Sequence, residues 1–148
     1  MFIEQDLYNQ ILQSLPITCI DLLIIHNNQC LMLLRNNEPA LGQYWFPGGR
    51  LNKNELISEG TVRKAKQEVN LDCTFEKIVS VEETIFPKNE RMLTTVHTVN
   101  ICCLLHTKNI DSMALDKFHT KYKWISHISQ DYHPGVINPL KKIGFDFL

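Results

Sequence analysis

Ile3, Leu7, Ile11 and Leu15 recur at every fourth position with polar residues between them, which predicts an amphipathic helix over residues 3–15. Pro16 ends it, because the residue before a proline is pushed out of the helical region. Ile17 to His26 is apolar on both faces apart from Thr18 and Asp21, the mark of a strand covered on both sides. Asn27-Asn28 supplies a two-residue turn, and Gln29 to Arg35 reads as the returning strand. Asn36 to Gly42 is a loop, and Gln43 to Phe46 is a short strand. Ile57, Val62, Ala65 and Val69 give one apolar side to a helix from about Leu56 to Val69. Longer strands are predicted over Phe75–Phe86 and Thr94–Thr107, separated by a turn at Pro87-Lys88-Asn89-Glu90. A loop over 108–120, a short strand from Lys121 to Ile125 and a last helical turn or two near Asn138–Ile143 complete the chain. Strands interleaved with helices and joined by hairpins predict an α/β fold, a mixed sheet between helical layers, in one domain over residues 1–148.

Composition narrows the partners. The 148 residues carry a net charge of −1, so no overall field draws the chain to nucleic acid or to an anionic membrane. An anionic ligand must be held by local cations. The five cysteines are odd in number, form no C-x-x-C pair and sit mostly in apolar runs such as Ile101–Leu105, which points to free thiols in a reducing compartment. The acidic start Met1–Asp6 lacks the basic region of a secretion signal, and no apolar run approaches the ~18 residues of a membrane span. The expectation is a cytoplasmic protein.

The chemistry concentrates between Trp45 and Glu68. Tyr44-Trp45-Phe46 leads into Pro47-Gly48-Gly49-Arg50, then a polar loop, then the helix. Glycine lets backbone approach a ligand closely, so Gly48-Gly49 can offer a carbonyl to a metal or an amide to a phosphate; it is also what a simple turn would use. Glu55, Glu59 and Arg63 lie four apart and share one helix face, whereas Glu68 faces elsewhere. Glu59 and Lys66 read as a solvated charged face. Asp21 and Arg35 are the polar exceptions in the first hairpin, a place where Asp either satisfies backbone donors or pairs with the arginine. No cysteine and histidine spacing suits structural zinc.

Gly49-x5-Glu55-x7-Arg63, followed by Glu68 and Leu71, resembles the Nudix signature: glycine, five residues, glutamate, seven residues, then Arg-Glu-aliphatic-any-Glu-Glu-any-Gly-aliphatic. The resemblance implies an α/β/α sandwich and hydrolysis of a nucleoside diphosphate linked to another group, with Mg²⁺ as cofactor. The chain departs from that pattern at Lys64, Gln67 and Asn70, and of the three metal-holding acids only Glu68 is kept.

That pattern of losses is similar to the GDP-mannose mannosyl hydrolase branch, in which water attacks the anomeric carbon of the sugar with inversion and GDP leaves. Met1-Phe2, Gln5, Pro16, Asp21, Arg35, Pro39-Ala40, Tyr44–Arg50, Asp116, His119, Tyr122 and Trp124 carry the likeness. Transferred residue by residue, it implies Mg²⁺ held by the Gly49 carbonyl and Glu68, with diphosphate and water completing the ion. Arg35 and Arg50 would neutralise the diphosphate. Arg63 would lie nearby and pair with Glu55, and Asp21 would orient the surroundings of Arg35. His119, on a loop before the Tyr122–Trp124 strand, would be the general base, and the protein would be a homodimer. Phe118 stands where that branch has a metal-binding glutamine, and Thr84, Phe86 and Thr98 stand where it has histidine and tyrosine groups. Two further readings stay open: attack at phosphorus by an ordinary Nudix diphosphatase, and a domain that binds a nucleotide sugar without turning it over.

Overall fold

The computed structural model describes residues 1–148. The elements are α1 (Gln5–Ser14), β1 (Ile17–His26), β2 (Gln29–Arg35), β3 (Tyr44–Trp45), β4 (Gly48–Arg50), α2 (Ile57–Val69), β5 (Thr74–Phe86), β6 (Val96–His106), β7 (His119–Ile125) and α3 (Pro134–Lys142). Seven strands form one mixed sheet with the order β3-β2-β1-β6-β5, with β4 paired to β1 and β7 to β2. β1 and β6 run parallel from Ile17↔Thr98 to Ile25↔His106, and every other pairing is antiparallel. This central parallel pair is covered on both faces, in keeping with the unbroken apolar run of β1.

Two cores flank the sheet. One packs Ile20, Leu22, Ile24, Leu31 and Leu33 against Ala65 and Val69 of α2. The other packs Leu23, Met32, Trp45, Phe46 and Cys102 against Val136 and Leu140 of α3. The period-two alternation of β1 sends neighbouring residues into opposite cores. The result is the expected α/β/α sandwich.

β1 changes partners along its length, and this builds the site. Its C-terminal end pairs with β2 through Ile25↔Cys30 and His26↔Gln29, while its first half pairs with β4 through Cys19↔Arg50, Ile20↔Gly49 and Asp21↔Gly48. β4 therefore inserts beside β1 where the first hairpin splays open. A side chain at Gly48 would run into the Ile20 carbonyl, so the close approach requires glycine here.

Several expectations need correction. Gly48-Gly49-Arg50 is a strand, not a simple turn. β7 begins at His119, so this histidine opens a strand paired to Arg35. α3 starts at Pro134, four residues before the expected turn, with His133 as its N-cap accepting from the Gly135 amide at 2.9 Å. His133 is half-buried, its ring 5.0 Å from that of Trp45. α1 buries no residue, and Leu7 of its apolar stripe is 53% exposed. Val62 also faces outward on α2. Glu59 is more than a solvated charge: its carboxylate accepts from the Leu56 amide at 3.1 Å and caps the start of α2.

Candidate active site

A cavity of about 300 Å³ opens at the splayed end of the sheet, with Asp21, Arg35, Trp45, Gly49, Glu68 and His119 in its wall. Residues far apart in sequence meet here because α2 and the 108–118 loop are tied together. Asn70 closes α2 in the left-handed conformation, φ 53°, the backbone shape for which the resembling signature uses glycine. Its side-chain amide donates to the Ser112 carbonyl at 2.8 Å, and the Ser112 hydroxyl returns a bond to the Asn70 carbonyl at 2.9 Å. The Ala114 amide donates to the Val69 carbonyl and the Asp116 amide to the Glu68 carbonyl. This strap carries Asp116 and His119 onto Glu68.

Glu68 is buried at the centre. One oxygen accepts from the Gly48 amide at 2.6 Å, and the other lies 3.5 Å from the Lys64 ammonium. Burial raises its pKa, and Lys64 and the Gly48 amide work in the opposite direction. His119 Nδ1 and Asp116 Oδ1 are 2.7 Å apart. Glu68, Asp116 and His119 each offer a ligand atom within 4.8 Å of the others. The carboxylate oxygens of Glu68 and Asp116 suit a hard divalent ion such as Mg²⁺, whereas an imidazole suits softer ions and His119 is already bonded to Asp116. Gly49 adjoins Glu68 in the cavity wall but its edge is crowded: a Cβ there would meet Lys64 Nζ at 2.9 Å.

The two arginines expected at the diphosphate are both in the wall. Arg35 Nε donates to the Pro39 carbonyl at 2.6 Å and Nη2 to Asn37 at 3.4 Å. Burial lowers its pKa, and Glu68 and Asp21 oppose that. Arg50 lies over the Tyr8 ring at 4.8 Å, so α1 contributes to the cavity after all. Arg63 is committed elsewhere: it holds Glu55 through two bonds of 2.5 and 2.9 Å and also donates to the Arg50 carbonyl and Gln67. It is absent from the cavity wall and braces the strand that carries Arg50.

Asp21 has no direct bond to Arg35. Its Oδ2 accepts from Trp45 Nε1 at 3.3 Å and from Asn100 Nδ2 at 3.1 Å. Burial pushes its pKa up to about 6, against the Trp45 and Asn100 bonds and the more distant Arg35 charge. Asn100 Oδ1 in turn accepts from Thr98 at 2.6 Å, and Thr98 and Thr84 share a hydroxyl bond of 2.5 Å. Thr98, Asn100 and Phe86 line the cavity, while Thr84 lies behind them. Phe118 is half exposed beside Lys117 and brings no donor to the cluster; Asp116, two residues earlier, does.

Sequence reasoning gave Tyr8, Lys64 and Asn100 no place in the site, and gave Asp116 no role. Asn100 had a signal, a lone amide within the apolar run Val99–Leu105. Tyr8 had none, since its place depends on how α1 folds back.

Solved structures share this arrangement of strands and helices. A MutT Nudix hydrolase from Burkholderia pseudomallei superposes with a TM-score of 0.71 over 88% of this chain and 99% of its own, at 18% identity. The fold is the Nudix fold. A Nudix hydrolase from Nitrosomonas europaea gives a TM-score of 0.67 over 90% of this chain and 76% of its own, at 16% identity. No protein-family profile matches the chain. In sequence, it is 28% identical over 141 residues to the low-salt glycan biosynthesis protein Agl8 of Haloferax volcanii, which covers 90% of this chain and 86% of that protein. It is 32% identical over 78 residues to the ADP-ribose pyrophosphatase of Methanocaldococcus jannaschii, a match that spans 53% of this chain and 46% of that protein. Within this Nudix fold no helix is long and apolar enough to cross a membrane.

Proposed function

We propose that the protein is an enzyme that hydrolyses a nucleoside diphosphate-sugar of the GDP-mannose kind at the anomeric carbon, releasing the nucleoside diphosphate and the free sugar with inversion. The observation that carries this reading is His119 in the cavity wall beside Glu68, with Asp116 bonded to its ring from behind. With Nδ1–H donated to Asp116, the His119 Nε2 is the basic nitrogen, available to take a proton from water. Asp116 fixes the ring and stabilises the imidazolium that forms. Water gives its proton to His119 as its oxygen bonds to the sugar carbon, and the C1–O bond electrons leave with the diphosphate.

The departing diphosphate gains charge in the transition state, and Arg35 and Arg50 sit where they can receive it. Glu68 and the Gly49 carbonyl would hold Mg²⁺, and when bound the ion supplies further positive charge to the leaving group. Asp21, anchored through Trp45 and Asn100, faces the same cavity and sets its polar floor. The likeness to a glycan biosynthesis protein over most of both chains supports a sugar-bearing substrate. We place the protein in the cytoplasm, consistent with five unpaired cysteines, and assign it a homodimeric state.

A second reading has one observation in its favour. The partial match to an ADP-ribose pyrophosphatase, with Glu68 and Asp116 as two neighbouring carboxylates, suits attack at phosphorus. Product analysis separates the two. Incubation with GDP-mannose and Mg²⁺, followed by NMR, is expected to show GDP and mannose that first accumulates as the inverted anomer. GMP and mannose 1-phosphate would support the second reading instead.

A further inference from the structure

Lys64 is a charged residue beside Glu68 whose position neither the resemblance nor the proposed reaction uses. It follows Arg63 on α2, and the helical turn aims it at β4, not at Glu55. Its ammonium lies 3.5 Å from Glu68 Oε1, with the lysine side chain only 18% exposed and the glutamate 10%. It also fills the space over Gly49, where a Cβ would meet Lys64 Cε at 2.8 Å and Nζ at 2.9 Å. Glu68 and Gly49 are the two groups that the proposed function gives to a divalent ion, and a fixed positive charge already lies between them. Glu68 has no other cationic partner within ion-pair distance, because Arg63 is held by Glu55 and Arg35 by Pro39 and Asn37.

We propose that the Lys64 ammonium is a built-in cation of this site, which competes with a divalent ion for Glu68 and, on ion-free protein, receives the diphosphate of a nucleotide ligand. The first half follows from electrostatics. A divalent ion at Glu68 must displace the ammonium or accept a like charge a few ångströms away, and in a poorly solvated site either is costly. The second half rests on the reading of the cavity as a diphosphate site. Arg35 and Arg50 line the cavity and Lys64 stands just outside its wall, behind Glu68, so its ammonium would add a third positive charge by swinging past that carboxylate to the diphosphate. Lysine suits this role as a point charge on a flexible stem that can swing from Glu68 to a phosphate oxygen.

Two binding measurements test it without relying on turnover. Mn²⁺ binding, followed by the electron paramagnetic resonance signal of the free ion, is expected to tighten about tenfold or more in Lys64→Met, whereas Lys64→Arg keeps the weak affinity of the wild type. Equal or weaker Mn²⁺ binding in Lys64→Met overturns the competition. GDP binding by calorimetry in excess EDTA is expected to be measurable in the wild type and about tenfold weaker in Lys64→Met. Unchanged GDP affinity in the variant overturns the diphosphate contact. If the wild type binds no GDP with or without Mn²⁺, the diphosphate contact and the proposed function both fail, while the Mn²⁺ comparison still decides the competition. Thermal melts of both variants show whether the fold is kept.

Discussion

His119 Nδ1 and Asp116 Oδ1 stand 2.7 Å apart where β7 begins, beside Glu68 at the end of α2. The contact itself is local, an i,i+3 pair, and the strap through Asn70 and Ser112 is what brings it onto Glu68 from a distant part of the chain. If the pair acts as base and orienting group, the two residues differ in what they change. His119→Ala is expected to lower turnover by ~10²–10⁴ with little effect on KM. Asp116→Asn should lower it less, by roughly 10–100-fold. Steady-state kinetics across pH check both, and an unchanged rate in His119→Ala removes it from the role.

Gly48 brings β4 against β1 and gives its amide to Glu68. An alanine would press on the Ile20 carbonyl, which cannot move without breaking the sheet. Gly48→Ala is expected to cost roughly 1–3 kcal/mol in urea unfolding and to weaken Mn²⁺ binding, since Glu68 loses its anchor. A variant as stable as the wild type would contradict the close approach.

The pH dependence of stability has a sign set by Asp21. Its carboxyl titrates at about 6 in the folded protein against an ordinary 3.8, because it is buried. Between those values the folded state binds more protons than the unfolded one. The stability that this group contributes is therefore present below about pH 4 and lost as the pH rises through about 6, an effect of about 3 kcal/mol at most. The burial of Glu68 acts in the same direction. Asp21→Asn keeps an acceptor for Trp45 and Asn100 and should be more stable than the wild type at pH 7, but not at pH 4. Urea midpoints at the two pH values measure the difference, and a constant difference would contradict the burial argument.

Much of the fold was legible because hydrophobic period is a local property. β1, β2, α2 and β5 fall within a residue of their expected limits; β1 and β2 have unbroken apolar runs and α2 an apolar stripe, while β5 is rich in β-branched and aromatic residues and ends at a proline turn. β4 was hidden because two glycines and an arginine carry no apolar signal; it is a strand only because β1 has an unpaired edge at Asp21. His119 read as a loop residue for a similar reason, as its pairing with Arg35 comes after a register shift opposite Leu33–Arg35. In the site, spacing along one helix exposed the Glu55–Arg63 pair, and the resemblance named Glu68 and His119. The direction of Lys64 depends on how close β4 comes to α2, and that is a tertiary fact.

Asn70 offers a test of the strap. Asn70→Ala places a side chain that disfavours left-handed backbone at φ 53° and also removes the bond to Ser112. A loss of about 1–2 kcal/mol in stability is expected, together with reduced turnover as Asp116 and His119 drift from Glu68. Asn70→Gly should restore the backbone part of the stability but not the turnover, and recovery of both would show that the side-chain bond to Ser112 is dispensable.

The central claim is that water attacks carbon. Turnover of GDP-mannose in ¹⁸O-water, followed by mass spectrometry of the products, reads this directly. The account predicts one ¹⁸O atom in the released mannose and unlabelled GDP. Label on phosphorus, in GMP or in sugar phosphate, would contradict it, and so would tight binding of GDP-mannose with no products at all.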